Sequence, residues 1–289
     1  MNNMLDSLSS PIKEENIDCI FYGNLPFVKN KEVQGNLCEV VSAIVLNSLD
    51  LDNKYKIKYY VGISSTGEHV TFSENFNFDG SSFLSFDILL QQITNHIAYS
   101  QENNEVVLDS SFELFLARLD QSNDVEVYLE ILSELIFSVD SENHSEFFTN
   151  ILMMYDELRH ALRPMLAFDA LVQNTDRHNG NFGFLIKEEI CFAPFYDLDK
   201  TLGNPNHPFS GDYSMIQMLV ETSRYPWAPL NLNYAERNGT FLDCNTSTFS
   251  DCIQNLMDVK NSTQNQTLTS IIDYFMQNLE RKGIAYGKS

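Results

Sequence analysis

The sequence predicts an α+β protein with two lobes, a small mixed β lobe followed by a larger, mainly helical lobe with an inset β-hairpin. Residues 18–72 contain short β-like runs around one helix, whereas from about residue 83 apolar residues recur at three- and four-residue steps. Two short strands joined by "KEE" then interrupt the helices. The Gly/Ser/Asn-rich stretch "SENFNFDGSSF" predicts a hinge near residues 73–83, so we expect the lobes to span 1–80 and 81–289.

Length and charge exclude several functional classes. The 289 residues can form one large domain or two lobes with sizeable cores. A formal charge of −22 argues against direct binding of nucleic acid or an anionic membrane. No run approaches the roughly 20 apolar residues of a membrane helix. The N-terminal sequence lacks the basic-then-apolar order of a signal peptide, so we expect a cytoplasmic protein.

The N-terminal lobe is predicted from its short apolar runs. "IDCIFY" and "PFVK" are typical of strands. The run "GNLCEVVSAIVLNSL" has Leu37, Val41, Ile44 and Val45 at helical spacing. "KIKYYVGI" and "EHVTF" predict two strands around the turn "SSTGE". We therefore expect a small sheet that accompanies one helix.

The second lobe is predicted to be mainly helical. "FLSFDILLQQITNHI", "SSFELFLARL" and "VEVYLEILSELIFSV" have helical periodicity, and another helix is expected over 146–162. Pro164 is expected to begin a new helix, because proline fits the first turn and not the interior. "FGFLI" and "ICFAPFYD" predict the hairpin, a loop-rich stretch follows residue 203, and two further helices are expected near 247–258 and 264–281. The 21 Phe and 13 Tyr are interpreted as core packing.

The polar cluster "NTDRHNGN" and the segment after the predicted hairpin supply the residue types that phosphoryl transfer needs. Asp176 and Asn181 are five residues apart, and Asp197 follows Asp176 by 21 residues, across the predicted hairpin. Transfer from ATP needs one carboxylate to accept the proton of the attacking hydroxyl. It also needs an amide oxygen and a second carboxylate to hold Mg²⁺ on the phosphates. The combination of helix, cluster, hairpin and "FYD" is more specific than the Asp-x-x-x-x-Asn step alone.

These segments resemble the HipA-like serine/threonine kinases, an atypical branch of the protein-kinase fold. The resemblance is carried by "FDALVQNTDRHNGNFGFL" and "APFYDLD". It implies a kinase-like fold that binds ATP and Mg²⁺ and phosphorylates Ser or Thr of a protein substrate, including itself. It also implies that Asp176 is the catalytic base and that Asn181 and Asp197 are Mg²⁺ ligands. His178 takes the family's histidine position and is assigned to cofactor binding, and Asn174 shapes the loop.

The resemblance extends less sharply to the N-terminal part. "PFVKNKEVQGNLCEVVSAIVL" is similar to the family's lysine strand and following helix, which assigns the phosphate-binding lysine to Lys29 and its glutamate partner to Glu39. Lys31 is an alternative to Lys29. The segment "SLSSPIK" takes the place of the phosphate loop, where Ser9 and Ser10 are expected to bind the nucleotide. It has no Gly-x-Gly.

Side-chain chemistry gives two further expectations within the cluster. Arg177 lies beside acidic residues, and an arginine there more often forms a structural ion pair than a phosphate contact. His178 is expected to brace the loop by hydrogen bonds rather than to ligate a metal.

Two other functions remain open at this stage. A catalytically weak kinase-fold module would bind nucleotide or a partner protein, as in a toxin–antitoxin-like pair with a separate DNA-binding antitoxin; the absent Gly-rich loop favours it. A haloacid-dehalogenase-type phosphatase would use Asp197 as nucleophile and Asp199 as acid/base, because "DLDKT" matches its motif. That fold needs several strand–helix units after the motif, and the remaining residues are predicted to be loops and helices.

Overall fold

The computed structural model describes these residues: 27–29, 33–63, 69–73, 81–93, 117–118, 125–139, 146–174, 177–202, 246–263 and 265–281. The strands are β1 (Phe27–Lys29), β2 (Tyr59–Ile63), β3 (His69–Ser73), β4 (Ser82–Ser85), β5 (Gly183–Ile186) and β6 (Ile190–Phe192). The helices are α1 (Val33–Ser48), α2 (Val125–Val139), α3 (Glu146–Val172), α4 (Thr246–Ser262) and α5 (Gln266–Arg281). This described part combines helices with two small antiparallel sheets, as the α+β prediction requires. The division into two lobes, 1–80 and 81–289, stays a prediction.

The first sheet has the strand order β1–β3–β2, and both pairings are antiparallel. Tyr59 lies opposite Ser73, which lies opposite Phe27. The strands predicted from "PFVK", "KIKYYVGI" and "EHVTF" are therefore confirmed. The segment "IDCIFY" and the turn "SSTGE" lie outside the described residues.

Helix α1 is enclosed on two sides. Its apolar side chains Leu37, Val41 and Val45 are buried, as their spacing predicts, and Ile44 is partly buried against the core. One side of the helix packs on β2 and β3, and other residues contact α4 and α5. A polar residue on this helix is therefore also removed from water, and Glu39 is fully buried.

The second sheet has the order β4–β5–β6, and β4 corrects one prediction. The run that begins "FLSF" was expected to be helical from residue 83, but residues 82–85 form a strand and residues 86–93 are helical. Pairing with β5 decides this, since Ser82 lies opposite Ile186 and Ser85 opposite Gly183. Ser85 also accepts a hydrogen bond at its Oγ from the Ile88 N–H at 3.4 Å, which helps to begin the helix there.

The prediction that Pro164 begins a new helix is wrong, because α3 continues through it. An internal proline removes the hydrogen bond to the carbonyl four residues earlier, here that of His160, and costs about 3 kcal/mol. His160 lies on the exposed face of α3, where water can bind its carbonyl. Four apolar residues near Pro164 are fully buried: Ala161, Leu162, Met165 and Leu166. Burial of this apolar face offsets the lost hydrogen bond.

The remaining helix predictions agree where the structure describes them. Helix α2 coincides with "VEVYLEILSELIFSV", and α4 and α5 match the two predicted C-terminal helices. Only residues 117–118 of "SSFELFLARL" are described, and they are helical. The loop-rich stretch 203–245 lies outside the described residues. None of the helices within the described ranges is long and apolar enough to cross a membrane.

Aromatic side chains form the core beneath β5, β6 and the end of α3, as the composition predicts. The ring of Phe195 stacks on Tyr55 at 5.0 Å and on Phe168 at 6.1 Å, measured between centroids. Phe192 meets Phe195 edge-on at 6.1 Å and stacks on Phe182 at 6.0 Å. Phe182, before the hairpin, and Phe195, after it, therefore pack in the same aromatic core.

Gly183→Ala is expected to lower the free energy of unfolding by about 1–3 kcal/mol. A Cβ at this position would lie 2.2 Å from the Leu84 carbonyl oxygen and 2.8 Å from the Ser85 Cα, and β4 cannot withdraw without losing its pairing with β5. Urea denaturation measures the change. Gly180→Ala is the control with a smaller expected loss, because its Cβ would meet the His178 imidazole, a side chain whose displacement costs one hydrogen bond, from the Gly180 N–H, rather than a strand pairing. Equal losses at the two positions would contradict this interpretation.

Candidate active site

The end of α3 prepares the polar loop that follows it. Asn174 donates its backbone N–H to the Asp169 carbonyl at 2.8 Å and its side-chain Nδ2 to Asp169 Oδ1 at 2.9 Å. Gln173 adopts the left-handed conformation, with φ of 56°, and so ends the helical path. The expectation that Asn174 shapes the loop agrees with these contacts.

Arg177 ties three segments together from a fully buried position. Its Nε and Nη2 donate to the two carboxylate oxygens of Asp169 at 2.9 and 3.0 Å, a bidentate pair with no exposure on either side chain. Its Nη1 donates to the backbone carbonyl of Asn181 and, at 2.9 Å, to that of Tyr196. The predicted structural ion pair is confirmed. The backbone of Asn181 and the residue before Asp197 are therefore neighbours, held on one nitrogen.

The charge of Arg177 is secure despite its burial. Desolvation by itself would lower the pKa of the guanidinium, but the Asp169 carboxylate raises it above its ordinary value through charge and hydrogen bonding. Tyr196 and Asp197 act in the same direction. A permanently charged donor is thus fixed behind the two candidate metal-ligand segments.

Local hydrogen bonds fix the loop between Arg177 and β5. The Gly180 N–H donates to His178 Nδ1 at 3.0 Å, so this histidine braces the turn as expected. The Tyr196 hydroxyl donates to the Gly180 carbonyl at 2.7 Å. The start of the helix after β4 also contacts this loop, since the Asp87 N–H donates to the Asn179 carbonyl at 3.0 Å.

Asp197 lies where the hairpin segment meets the N-terminal sheet. It has φ of 59°, a left-handed conformation that is uncommon outside glycine. Its backbone N–H donates to the hydroxyl of Tyr59 on β2 at 3.3 Å. Burial raises the pKa of Tyr59 well above its ordinary value, and the Glu39 carboxylate raises it further. Glu39, Tyr59 and Asp197 are therefore neighbours, although they come from α1, β2 and the segment after β6.

The segment after Asp197 docks on α1. Ser42 and Thr201 share a buried hydroxyl–hydroxyl hydrogen bond of 2.7 Å, and Thr201 also donates to the Leu198 carbonyl at 2.6 Å. Asp199 is 5% exposed. Burial, together with the charges of Asp199 and Glu39, raises the pKa of the Cys38 thiol to about 12, so Cys38 is an inert core residue.

The other predicted site residues are described in part or not at all. Lys29 is the last residue of β1, opposite Thr71, but its contacts lie outside the described residues. Ser9, Ser10, Lys31 and Asp176 also lie outside them. Their assigned roles therefore stay predictions.

The donor set suits Mg²⁺ in its chemistry. Asn181 and Asp197 offer an amide oxygen and a carboxylate, the hard oxygen ligands that Mg²⁺ prefers, and Mg²⁺ completes its shell with water and phosphate oxygens. Asp197 is only partly buried, so its side chain keeps some exposure to solvent. Within the described ranges, no group of three or more His, Cys, Asp and Glu side chains forms a metal site. These two residues fit a metal held jointly with phosphates better than an all-protein cage.

Two structurally important residues were not assigned from the sequence. Asp169 is the partner of Arg177, and the signal for it was present, because a charged residue interrupts the apolar run "PMLAFDALV". A fully buried charge must be paired, so that interruption predicts a partner. Tyr59 had no such signal, since a tyrosine in a strand is ordinary.

Comparison with known proteins leaves the family open. No protein-family model and no curated protein matches this chain. The crystal structure of a proinflammatory kinase of Helicobacter pylori, CtkA, is similar at 18% sequence identity and a TM-score of 0.44. The alignment covers 91% of this chain and 86% of that chain. A likeness at this level assigns neither fold nor activity, so the function is argued from the site.

Proposed function

We propose that this protein is a HipA-like protein kinase that transfers the γ-phosphate of ATP to Ser or Thr of a protein, including itself. The observation that carries the proposal is the anchoring of Asn181 and Tyr196–Asp197 on one buried guanidinium. The amide and carboxylate that phosphoryl transfer needs for Mg²⁺ thus come from segments held side by side. The Glu39 carboxylate, on α1, belongs to the same region, because it lies close enough to Tyr59 to raise the pKa of that phenol.

The proposed reaction assigns one role to each group. Bound Mg²⁺ would neutralise the phosphate charge and keep the γ-phosphoryl group in line for attack. The substrate hydroxyl oxygen forms a bond to the γ-phosphorus while the bond to the β–γ bridging oxygen breaks, and ADP leaves. Asp176 accepts the hydroxyl proton. Lys29, held by Glu39, binds the α- and β-phosphates, with Ser9 and Ser10 at the phosphate loop and His178 bracing the catalytic loop.

The phosphatase alternative is weakened by the position of Asp199. In that mechanism Asp199 would exchange a proton with the substrate, which requires access to the reacting group. Asp199 is instead buried and close enough to Cys38 of α1 to influence its pKa. Thr201, two residues later, is also buried and bonded to Ser42 of α1. This side of the motif therefore serves packing.

The second candidate is a kinase-fold module with little or no catalysis that binds nucleotide or an antitoxin-like partner. One observation favours it: the segment "SLSSPIK" lacks the glycines that let a loop close over phosphates. The module would still bind ATP with Mg²⁺, because Asn181 and Asp197 are present, but would transfer phosphate slowly. The two candidates therefore differ in turnover and agree in binding.

The test is transfer of label from γ-labelled ATP to the protein itself and to a lysate of its host, with Mg²⁺ or with excess EDTA. We expect labelled protein bands with Mg²⁺ and none with EDTA. A labelled lysate band would identify the protein substrate. Mg²⁺-dependent ATP binding without label would favour the binding module, and absence of ATP binding would reject both.

A further inference from the structure

The backbone of Asp197 is held in an unfavourable conformation. A φ of 59° lies in the left-handed region, which costs a non-glycine residue about 1 kcal/mol or more. Such conformations persist only where neighbouring groups hold them, and they concentrate at functional sites. The φ angle of Asp197 helps to set the direction in which its carboxylate leaves the backbone. Whatever holds this backbone therefore orients the side chain.

Tyr59 is the group that contacts this backbone from the other sheet. Its hydroxyl accepts the Asp197 N–H at 3.3 Å. A second contact from the same stretch lies two residues earlier along the hairpin segment, where the Phe195 N–H donates to the Tyr55 carbonyl at 2.9 Å. The stretch before and into β2 therefore supports the segment that carries Asp197 at two points.

The hydroxyl of Tyr59 is well suited to this role because it is rigid and neutral. The residue is 7% exposed, and β2 is paired along its length with β3. A tyrosine hydroxyl is neutral near pH 7. A phenylalanine ring would fill the same space but could not accept the Asp197 N–H. The contact can thus be removed without creating a cavity.

We propose that Tyr59 is a positioning residue: by accepting the Asp197 N–H it fixes the backbone conformation that aims the Asp197 carboxylate at the metal. This inference rests on the proposed kinase function for its consequence, the metal requirement. Its structural part, the restraint on the Asp197 backbone, is independent of any activity. The two parts can be measured separately.

The experiment compares wild type, Tyr59→Phe and Tyr155→Phe. Tyr155 is the control, since its hydroxyl also makes a hydrogen bond to the backbone of another element, here by donating to the Leu129 carbonyl at 3.0 Å, between α3 and α2. Hydrogen exchange followed by mass spectrometry is read on peptides that contain 195–202. Loss of one hydrogen bond should accelerate exchange there on the order of fivefold in Tyr59→Phe. Tyr155→Phe should leave that segment unchanged.

The second arm measures the rate of label transfer against Mg²⁺ concentration. In Tyr59→Phe we expect half-maximal rate at an Mg²⁺ concentration higher by on the order of fivefold, with the KM for the protein substrate unchanged. Tyr155→Phe should match wild type. A purely structural role would alter stability and leave the Mg²⁺ requirement alone, so an unchanged requirement overturns the inference.

Failure of the proposed function would look different. If wild type transfers no phosphate, the kinase proposal fails, and the second arm becomes the Mg²⁺ dependence of ATP binding. An unchanged dependence in Tyr59→Phe would then overturn the inference. Unaltered exchange in the peptides that contain 195–202 overturns it whatever the activity of the wild type.

Discussion

Asp197→Asn is expected to reduce phosphate transfer by on the order of 10²- to 10³-fold. The substitution removes the negative charge that the proposed Mg²⁺ ligand supplies and keeps nearly the same shape. Asparagine also tolerates the left-handed conformation that Asp197 adopts, so the backbone contact with Tyr59 should survive. The measurement is the initial rate of label transfer at several Mg²⁺ concentrations, and the variant should need more Mg²⁺ even to reach its lower rate.

Two further variants test whether the lower rate of Asp197→Asn comes from the loss of a catalytic group. Asp176→Asn removes the predicted proton acceptor and should reduce transfer to a similar extent while ATP binding with Mg²⁺ persists. Asp258→Asn is the neutral control, because Asp258 is exposed on α4 and, within the described part of the chain, accepts a hydrogen bond from Gln254 of the same helix. If Asp197→Asn retains the wild-type rate and Mg²⁺ requirement, Asp197 is not a metal ligand and the proposed mechanism is wrong.

The sequence predicts those helices and strands whose apolar residues recur at a regular spacing within the segment itself. Helix α2 coincides with its predicted run, and the hairpin strands β5 and β6 lie where apolar segments flank "KEE". Residues 83–85 were predicted as helix because the run that they begin, "FLSFDILLQQITNHI", has apolar residues at helical spacing. Taken alone, "FLSF" is a short apolar run that fits either structure. Its identity is decided by pairing with β5, a hundred residues later in the chain. Long-range pairing has no local signal.

The candidate site divides in the same way. Asn181 and Asp197 could be predicted from the motif and the resemblance it carries, because the motif is contained in neighbouring segments. The contacts that organise them join distant residues: Tyr59 with Asp197, and Ser42 with Thr201. These pairings exist only after α1 and the first sheet have packed against the rest of the chain. Burial is also a tertiary property, so the sequence could not show that Asp199 would be withdrawn from solvent.

Asp169→Asn is expected to lower the free energy of unfolding by about 3–5 kcal/mol. The variant leaves the Arg177 guanidinium buried without its counter-charge and replaces one accepting oxygen by an amide N–H₂ that cannot accept. Urea denaturation followed by circular dichroism measures the change. Glu134→Gln is the control, because its ion pair with Arg118 has both side chains 45% exposed and should contribute about 0–1 kcal/mol. Similar losses of unfolding free energy in the two variants would contradict the interpretation that Asp169 and Arg177 form a buried ion pair.

Removing both charges separates stability from site geometry. In Asp169→Leu/Arg177→Leu no charge is left unpaired, so part of the stability lost in Asp169→Asn should return. Phosphate transfer should not return with it, because the carbonyls of Asn181 and Tyr196 have lost the donor that holds them together. Recovery of both stability and transfer would show that Arg177 only balances charge. Recovery of stability alone would show that its buried guanidinium organises the two segments on which the proposed chemistry depends.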